Sequence, residues 1–160
     1  ILGRPPSCSA APGWKARDVV LEEKSAFPFA YNSDCRGESI FRPVVAGVEL
    51  RQPQIPVTLP TYDEMIGRGG VNDGNYNVSL LSLVRPGKLN VLAIHAEVEG
   101  CARLDLFARF LEMAGSREIS FVPLGSLLDG AVDIGSASVV ARTIPGREGW
   151  MACQDPGETP

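Results

Sequence analysis

The only histidine of the chain, His95, lies inside the run VLAIHAEVEGC of residues 91–101. Imidazole titrates near neutral pH, so a histidine at the end of an apolar strand is a candidate general acid or base. Two carboxylates, Glu97 and Glu99, follow at alternate positions and would share a face with His95 on an extended chain. One of them could ligate a metal or bind a substrate amine. The structural alternatives are a histidine bonded to the backbone and a solvated or helix-capping pair of glutamates.

A second group of polar residues, Asn32, Asp34 and Arg36, follows the apolar segment FPFAY. A carboxylate hydrogen-bonded to one imidazole nitrogen fixes the tautomer and favours the imidazolium, so Asp34 is the natural partner for His95. Arg36 can pair with the Asp34 carboxylate, or its planar guanidinium can hold a phosphate. The group therefore predicts an acid–base pair or an anion contact at the end of a strand.

The loop from Ser9 to Trp14 carries the pair Pro12-Gly13, which indicates a turn directly ahead of a predicted helix. Trp14 could stack on a sugar ring or on a lipid-linked headgroup. The alternative is that this aromatic ring packs in the core.

The elements around these loops must bring them together. The apolar patterns predict strands at 27–31, 55–59, 91–94 and 119–122, and helices at 15–26, 75–84, 104–114 and 124–128. Strands that alternate with helices favour parallel βαβ units and an α/β fold. Because working residues gather at the carboxyl ends of parallel strands, we expect the three loops to converge on one face.

Composition narrows the function classes. The 160 residues suit one domain or a large piece of one, with 44% hydrophobic and 21% charged residues. A net charge of −4 gives no basic footprint, which argues against nucleic acid as a partner. The four cysteines have no C-x-x-C spacing, and no apolar run reaches the roughly 18 residues of a membrane helix. The chain opens ILGRPPS without a methionine, so we expect it to be part of a longer protein.

Five segments recur in the order in which a known family carries them: SCSAAPGWK at 7–15, YNSDCRG at 31–37, IPVTLPTYDEMIG at 55–67, IHAEVEGC at 94–101 and GREGWMACQ at 146–154. Together they resemble the polysaccharide deacetylase, or NodB-homology, family. Within that family they are similar to the deformylases that act on a lipid-linked formamido sugar. The resemblance covers nearly the whole chain and is weakest at 68–90 and 129–141.

The resemblance implies the C-terminal portion of a distorted (β/α) barrel over residues 1–128, followed by an extension, 129–160, that contains GREGW. It also implies a divalent-metal hydrolase in which a metal-bound water attacks an amide carbonyl and a histidine protonates the departing amine. On this match His95 is the general acid, and Asp34 is the second catalytic candidate, supporting the wall of the site. The implied substrate-binding residues are Pro12, Gly13, Trp14, Asn32, Arg36, Glu97 and Glu99.

Two departures from the family pattern limit what this chain can do alone. The family motif that the loop SAAPGW at 9–14 resembles usually carries an arginine where Ala10 stands here, so that function is missing or supplied by Lys15 or Arg36. The paired aspartates and the His-x-x-x-His that hold the metal have no counterpart. We therefore expect a zinc, manganese or cobalt ion in the intact enzyme, with its ligands in a missing N-terminal half, and an inactive isolated chain.

The expected reaction removes the N-formyl group from 4-deoxy-4-formamido-L-arabinose linked to undecaprenyl phosphate, a step of lipid A modification. Such a substrate implies a bacterial enzyme at the cytoplasmic face of the inner membrane. Two alternatives stay open: an N-deacetylase acting on peptidoglycan or another polysaccharide, and a non-catalytic fragment that binds a sugar phosphate.

Overall fold

The computed structural model describes residues 3–130, 134–145 and 147–155, which form a mixed α/β structure. The helices are α1 (Asp18–Ser25), α2 (Tyr62–Met65), α3 (Tyr76–Leu81) and α4 (Leu104–Gly115). The strands are β1 (Cys8–Ser9), β2 (Tyr31–Asn32), β3 (Arg42–Val45), β4 (Val48–Glu49), β5 (Ser136–Ala137), β6 (Val139–Thr143) and β7 (Trp150–Gln154). Short 3₁₀ turns lie at Pro12–Trp14 and Leu124–Leu128, and a π-helical turn lies at Val98–Ala102.

The frame of the site is a row of segments, of which β1, β2 and the segment at Gln54 pair in parallel. Strand β1 pairs in parallel with β2, and a single parallel bridge then joins Asn32 to Gln54. The segment after Gln54 is hydrogen-bonded to the segment that begins at Val91. The Val91 carbonyl accepts hydrogen bonds from the N–H groups of Thr58 and Leu59 at 3.1 and 3.0 Å. Each of these segments ends in a polar loop, so the loops emerge along one edge, as expected for parallel strands.

Two further sheets complete the architecture. Strand β3 pairs antiparallel with β4 and parallel with β5. Strands β6 and β7 form an antiparallel pair in which Val139 faces Gln154 and Thr143 faces Trp150. A bridge between Arg36 and Cys153 attaches β7 to this row of segments. The loop between β6 and β7 is thereby held close to the polar loops.

The helix predictions are confirmed in position and corrected in length. The prediction for 104–114 matches α4, whose residues Leu106, Phe110 and Ala114 are buried at helical spacing. The helix predicted at 15–26 begins only at Asp18, because the preceding residues form the Pro12–Trp14 turn and Arg17 is extended. The helix predicted at 75–84 is limited to α3, six residues long.

The strand predictions were mostly wrong. At 27–31 only Tyr31 enters a strand, because turn bonds from Phe27 to Lys24 and from Phe29 to Phe27 shorten the extended segment. The runs 55–59 and 91–94 are not regular strands. There the Thr58 hydroxyl accepts the Val91 N–H at 2.8 Å in place of a ladder bond. The run 119–122 forms no strand and leaves two of its side chains, Phe121 and Val122, exposed.

Three apolar clusters stabilise these elements. One lies between α3 and α4 and includes Leu80 and Phe110. A second lies beneath the polar loops and consists of Trp14, Ile55, Val57, Val91, Met151 and Cys153. The third surrounds Cys35, where burial raises the pKa of the thiol and the charge of Asp34 raises it further. The predicted extension contributes Met151 and Cys153 to the second cluster. In the described residues no helix is long and apolar enough to cross a membrane.

The contrast between neighbouring residues of α4 tests this packing. Phe110 is 3% exposed and Leu111 is 40% exposed. Phe110→Ala removes a buried ring and should lower the free energy of unfolding by about 3–5 kcal/mol. Leu111→Ala should change it by less than about 1 kcal/mol, since little buried contact is lost. Urea unfolding of the two variants measures the difference. Equal losses would show that α4 packs by another face.

Candidate active site

Asp34 connects three loops and does not contact His95. Its Oδ1 accepts the Ala11 N–H at 2.7 Å and the Lys24 ammonium at 2.5 Å, and its Oδ2 accepts the Gln54 amide at 3.1 Å. The carboxylate is fully buried, so it has no surface with which to meet a substrate. The prediction that Asp34 hydrogen-bonds to the His95 ring is therefore wrong, because the Asp34 carboxylate binds Lys24 of α1 instead. Asp34 therefore has the geometry of a supporting residue: it holds together loops 9–14 and 32–36, which we call the wall of the site.

Asn32 lies in the same wall. Its side chain is 3% exposed, and its amide donates to Gln52 Oε1 at 2.9 Å. Its backbone N–H donates to the Pro53 carbonyl, which fixes the loop in register with the next segment. A substrate-binding role for Asn32 stays a prediction, and in the described structure its visible role is to hold the wall together.

The buried carboxylate of Glu64 joins two arginines. Its side chain is 6% exposed. Glu64 Oε2 lies 3.0 Å from Arg36 Nη1 and also accepts the Thr61 N–H at 3.0 Å. Glu64 Oε1 lies 3.2 Å from Arg147 Nη1. Arg36 therefore pairs with Glu64, and the prediction that it pairs with Asp34 is wrong.

The Trp14 ring lies next to both arginines. The guanidinium carbons of Arg36 and Arg147 are 5.1 and 4.7 Å from the ring centroid. Gly13 and Trp14 adopt φ angles of 59° and 54°, the left-handed region, and this tight turn directs the indole inward. Trp14 is 8% exposed and belongs to the core cluster, so the core alternative for this ring is confirmed. Pro12 and Gly13 remain exposed at the rim.

His95 is accessible to solvent at this site. The exposed fraction of its side chain is 38%, and its Nδ1 lies 3.9 Å from Asp63 Oδ1. That oxygen accepts the Thr61 hydroxyl at 2.6 Å, while Asp63 Oδ2 lies 3.6 Å from Arg147 Nη1. A continuous series of polar contacts thus runs from His95 through Asp63 and Arg147 to the Trp14 ring. A carboxylate beside one ring nitrogen orients the imidazole and leaves the other nitrogen for proton transfer.

Glu97 and Glu99 do not share a face with the His95 ring, because the chain turns after His95 instead of staying extended. The N–H of Glu99 donates to the His95 carbonyl at 2.9 Å, and the Glu99 carboxylate accepts the His95 N–H at 2.8 Å. Glu99 is 4% exposed and closes this turn, while Glu97 is exposed. The helix-capping alternative describes Glu99 well. A role in substrate binding stays a prediction for both.

The expected convergence of the loops is present, and it includes residues that the sequence did not single out. Loops 9–14 and 32–36 meet at Asp34 and at the Trp14 ring, and His95 joins them through Asp63. Asp63, Glu64 and Arg147 were not predicted as site residues. The available signals were the capping-box spacing of Thr61 and Glu64 and the recurrence of the segments PTYDE and GREGW.

The residues of this site do not fit a metal centre. In the ranges that the structure describes, no three His, Cys, Asp or Glu side chains come together in a way that could hold a metal ion. Asp63 is the carboxylate paired with His95, and neighbouring Glu64 is already bonded to two arginines and a backbone N–H. What the arrangement can do chemically is to present one solvent-accessible imidazole, with a carboxylate beside its Nδ1, next to the Trp14 ring and the two arginines.

Fold and site thus define a mixed α/β chain with an exposed histidine–aspartate pair. The chain is 46% identical over 155 residues to a Shewanella sediminis (strain HAW-EB3) protein named "Probable 4-deoxy-4-formamido-L-arabinose-phosphoundecaprenol deformylase ArnD". It is 38% identical over 157 residues to the protein of the same name from Wigglesworthia glossinidia brevipalpis. Both matches cover 96% of this chain, which spans 50% and 54% of these relatives. No family model matches.

The resemblance drawn from the five segments is therefore confirmed at the level of these relatives. The chain is a homologue of the C-terminal half of proteins named as deformylases of a lipid-linked formamido sugar. An enzyme with that name is a hydrolase that acts on an amide.

The role of Asp34 as a wall residue can be tested by stability. Asp34→Asn removes the charge that Lys24 faces inside the protein and should lower the free energy of unfolding by about 3–5 kcal/mol. The matched control is Asp155→Asn, whose partner Arg142 lies 3.1 Å away with both side chains well exposed. An exposed pair should contribute less than about 1 kcal/mol. Chemical unfolding compares the two, and equally small losses would contradict the supporting role.

Proposed function

We propose that this chain supplies the general acid and part of the sugar-binding wall of a metal-dependent deformylase. The substrate would be 4-deoxy-4-formamido-L-arabinose attached to undecaprenyl phosphate, and the reaction would serve lipid A modification. The observation that carries the proposal is the His95–Asp63 pair, exposed beside a wall that belongs to a chain 46% identical to a deformylase relative over 155 residues. We further propose that the chain forms the C-terminal portion of a NodB-type (β/α) barrel.

The chemistry assigned to this chain is proton delivery. Amide hydrolysis breaks the bond between the formyl carbon and the sugar nitrogen, and the departing nitrogen must gain a proton as formate leaves. Nδ1 of His95 faces Asp63, so Nε2 is the nitrogen that would donate this proton. Asp63 is itself held by the Thr61 hydroxyl and by Arg147, which keeps its carboxylate beside the His95 ring.

The metal dependence belongs to the same proposal. The described residues offer no set of metal ligands, whereas the relatives are about twice as long as this chain. We assign the ligands for zinc, manganese or cobalt to the half of such a protein that this chain does not contain. No part of the proton transfer assigned to His95 depends on which of these ions is bound.

Exposed apolar side chains near His95 support a packing partner on this side. Ile94, Leu104, Phe121 and Val122 are between 47% and 57% exposed. Ile94 directly precedes His95, and Leu104 opens α4. Exposed apolar side chains in this part of the chain are available to a packing partner. An N-terminal half of the length found in the relatives would cover it. The enzyme would work at the cytoplasmic face of the inner membrane, where its lipid-linked substrate resides.

A chimera tests the proposal directly. This chain replaces the C-terminal half of the Shewanella sediminis relative, and formate release is measured with the formylated lipid-linked sugar. His95→Gln should lower turnover by at least about 100-fold with unchanged metal content, because it removes only the proton donor. The control is Arg117→Gln, an exposed position outside the site. The 160-residue chain alone should release no formate with added zinc, manganese or cobalt.

Two outcomes would contradict this proposal. Parallel loss of metal and activity in the His95 variant would make His95 a metal ligand and not the acid. Faster hydrolysis of an N-acetylated sugar than of the formylated one would make the enzyme a deacetylase.

A further inference from the structure

Two cationic side chains lie against the indole ring of Trp150. Lys15 Nζ is 4.7 Å and the Arg17 guanidinium carbon 4.8 Å from its ring centroid. Both cationic residues are exposed. Within residues 3–130, 134–145 and 147–155, neither forms an ion pair, although Asp18 directly follows Arg17 and Glu148 lies two residues before Trp150. The result is a local excess of positive charge on a chain whose net charge is −4.

The position of Lys15 is fixed by the loop that bears Trp150. The Lys15 ammonium donates a hydrogen bond to the Trp150 carbonyl. Gly149 has a φ of +75°, and a Cβ at this position would lie 3.2 Å from Lys15 Nζ, so glycine allows the ammonium to approach. The GREGW segment thus contacts the PGWKAR segment twice, through Arg147 at Trp14 and through Trp150 at Lys15 and Arg17.

This patch is continuous with the candidate active site. Lys15 directly follows Trp14, whose ring contacts Arg147, and Arg147 contacts the Asp63 that faces His95. A chain of contacts thus links the two cations to the residues beside His95. The location suits a charged substituent attached to the reacting sugar.

Two like charges beside one ring repel each other, and the attraction of each to the indole is only about 0.5–1 kcal/mol at an exposed site. A bound anion would interact favourably with both cations at once. Phosphate oxygens accept charge-assisted hydrogen bonds from an ammonium and a guanidinium together, which a single carboxylate does less well.

We infer that Lys15, Arg17 and Trp150 form a binding site for a phosphate ester. That the phosphate is the one joining the sugar to its lipid rests on the proposed function; the site itself follows from the three side chains. The wall around Trp14 then holds the sugar, and the Trp150 patch holds the phosphate.

The experiment measures binding of the 160-residue chain to phosphatidylcholine vesicles that carry undecaprenyl phosphate, with oleate vesicles of the same charge as reference. Lys15→Gln/Arg17→Gln should weaken binding to the phosphate vesicles by about tenfold or more. The charge-matched control Lys88→Gln/Arg117→Gln alters two exposed cations elsewhere and should bind like the parent chain. Arg17→Gln alone leaves the Lys15 bond to the loop intact, and it should still weaken binding measurably.

Equal binding to phosphate and oleate vesicles, or equal weakening in the two double variants, would overturn the inference. Competition by inorganic phosphate would show that the phosphate group alone is recognised; its absence, with dependence on Lys15 and Arg17 retained, would assign the lipid-linked form. Vesicle binding needs no turnover. Absence of phosphate binding that depends on Lys15 and Arg17, together with intact formate release by the chimera, would therefore refute this inference alone. Such binding without formate release would refute the deformylase proposal alone.

Discussion

The buried carboxylate of Glu64 is the constraint on which the arrangement of the site depends. It binds Arg36 from the loop after β2 and Arg147 from the loop between β6 and β7, and it also caps the start of its own helix. A buried charge without partners costs several kcal/mol, so each of these segments must stay in place for the others to be stable. Without Glu64, two guanidinium groups would face each other near the Trp14 ring with no counter-charge from this helix.

The position of the acid–base pair follows from this constraint. Once Glu64 fixes the start of α2, the preceding Asp63 must project beside it, where Thr61 and Arg147 hold its carboxylate close to His95. On the other side, Glu99 closes the turn that carries His95 by accepting its backbone N–H. The exposed imidazole is therefore positioned from two directions, although the ring itself makes few contacts.

Local sequence patterns predicted those features that depend on local physics. The helical spacing of Leu106, Phe110 and Ala114 was enough to place α4, and the polar residues after successive apolar segments were enough to predict that their loops meet. The partners of the charged residues could not be predicted. Asp34 pairs with Lys24 and not with the predicted His95, and Arg36 pairs with Glu64. Ion pairs between distant segments depend on which groups are close in three dimensions, which the sequence does not show. Glu99 was misplaced because a tight turn replaced the extended chain assumed after His95.

The interaction between Glu64 and Arg147 can be measured by a double-mutant cycle on the unfolding free energy, using Glu64→Gln, Arg147→Gln and the double variant. If the buried carboxylate joins the GREGW loop to the site, either single change leaves a charge without its partner, and the double variant should be less destabilised than the sum of the singles. A coupling energy of about 1 kcal/mol or more is predicted. Additive losses, within about 0.5 kcal/mol, would contradict the account, because they would show that these two side chains do not hold each other.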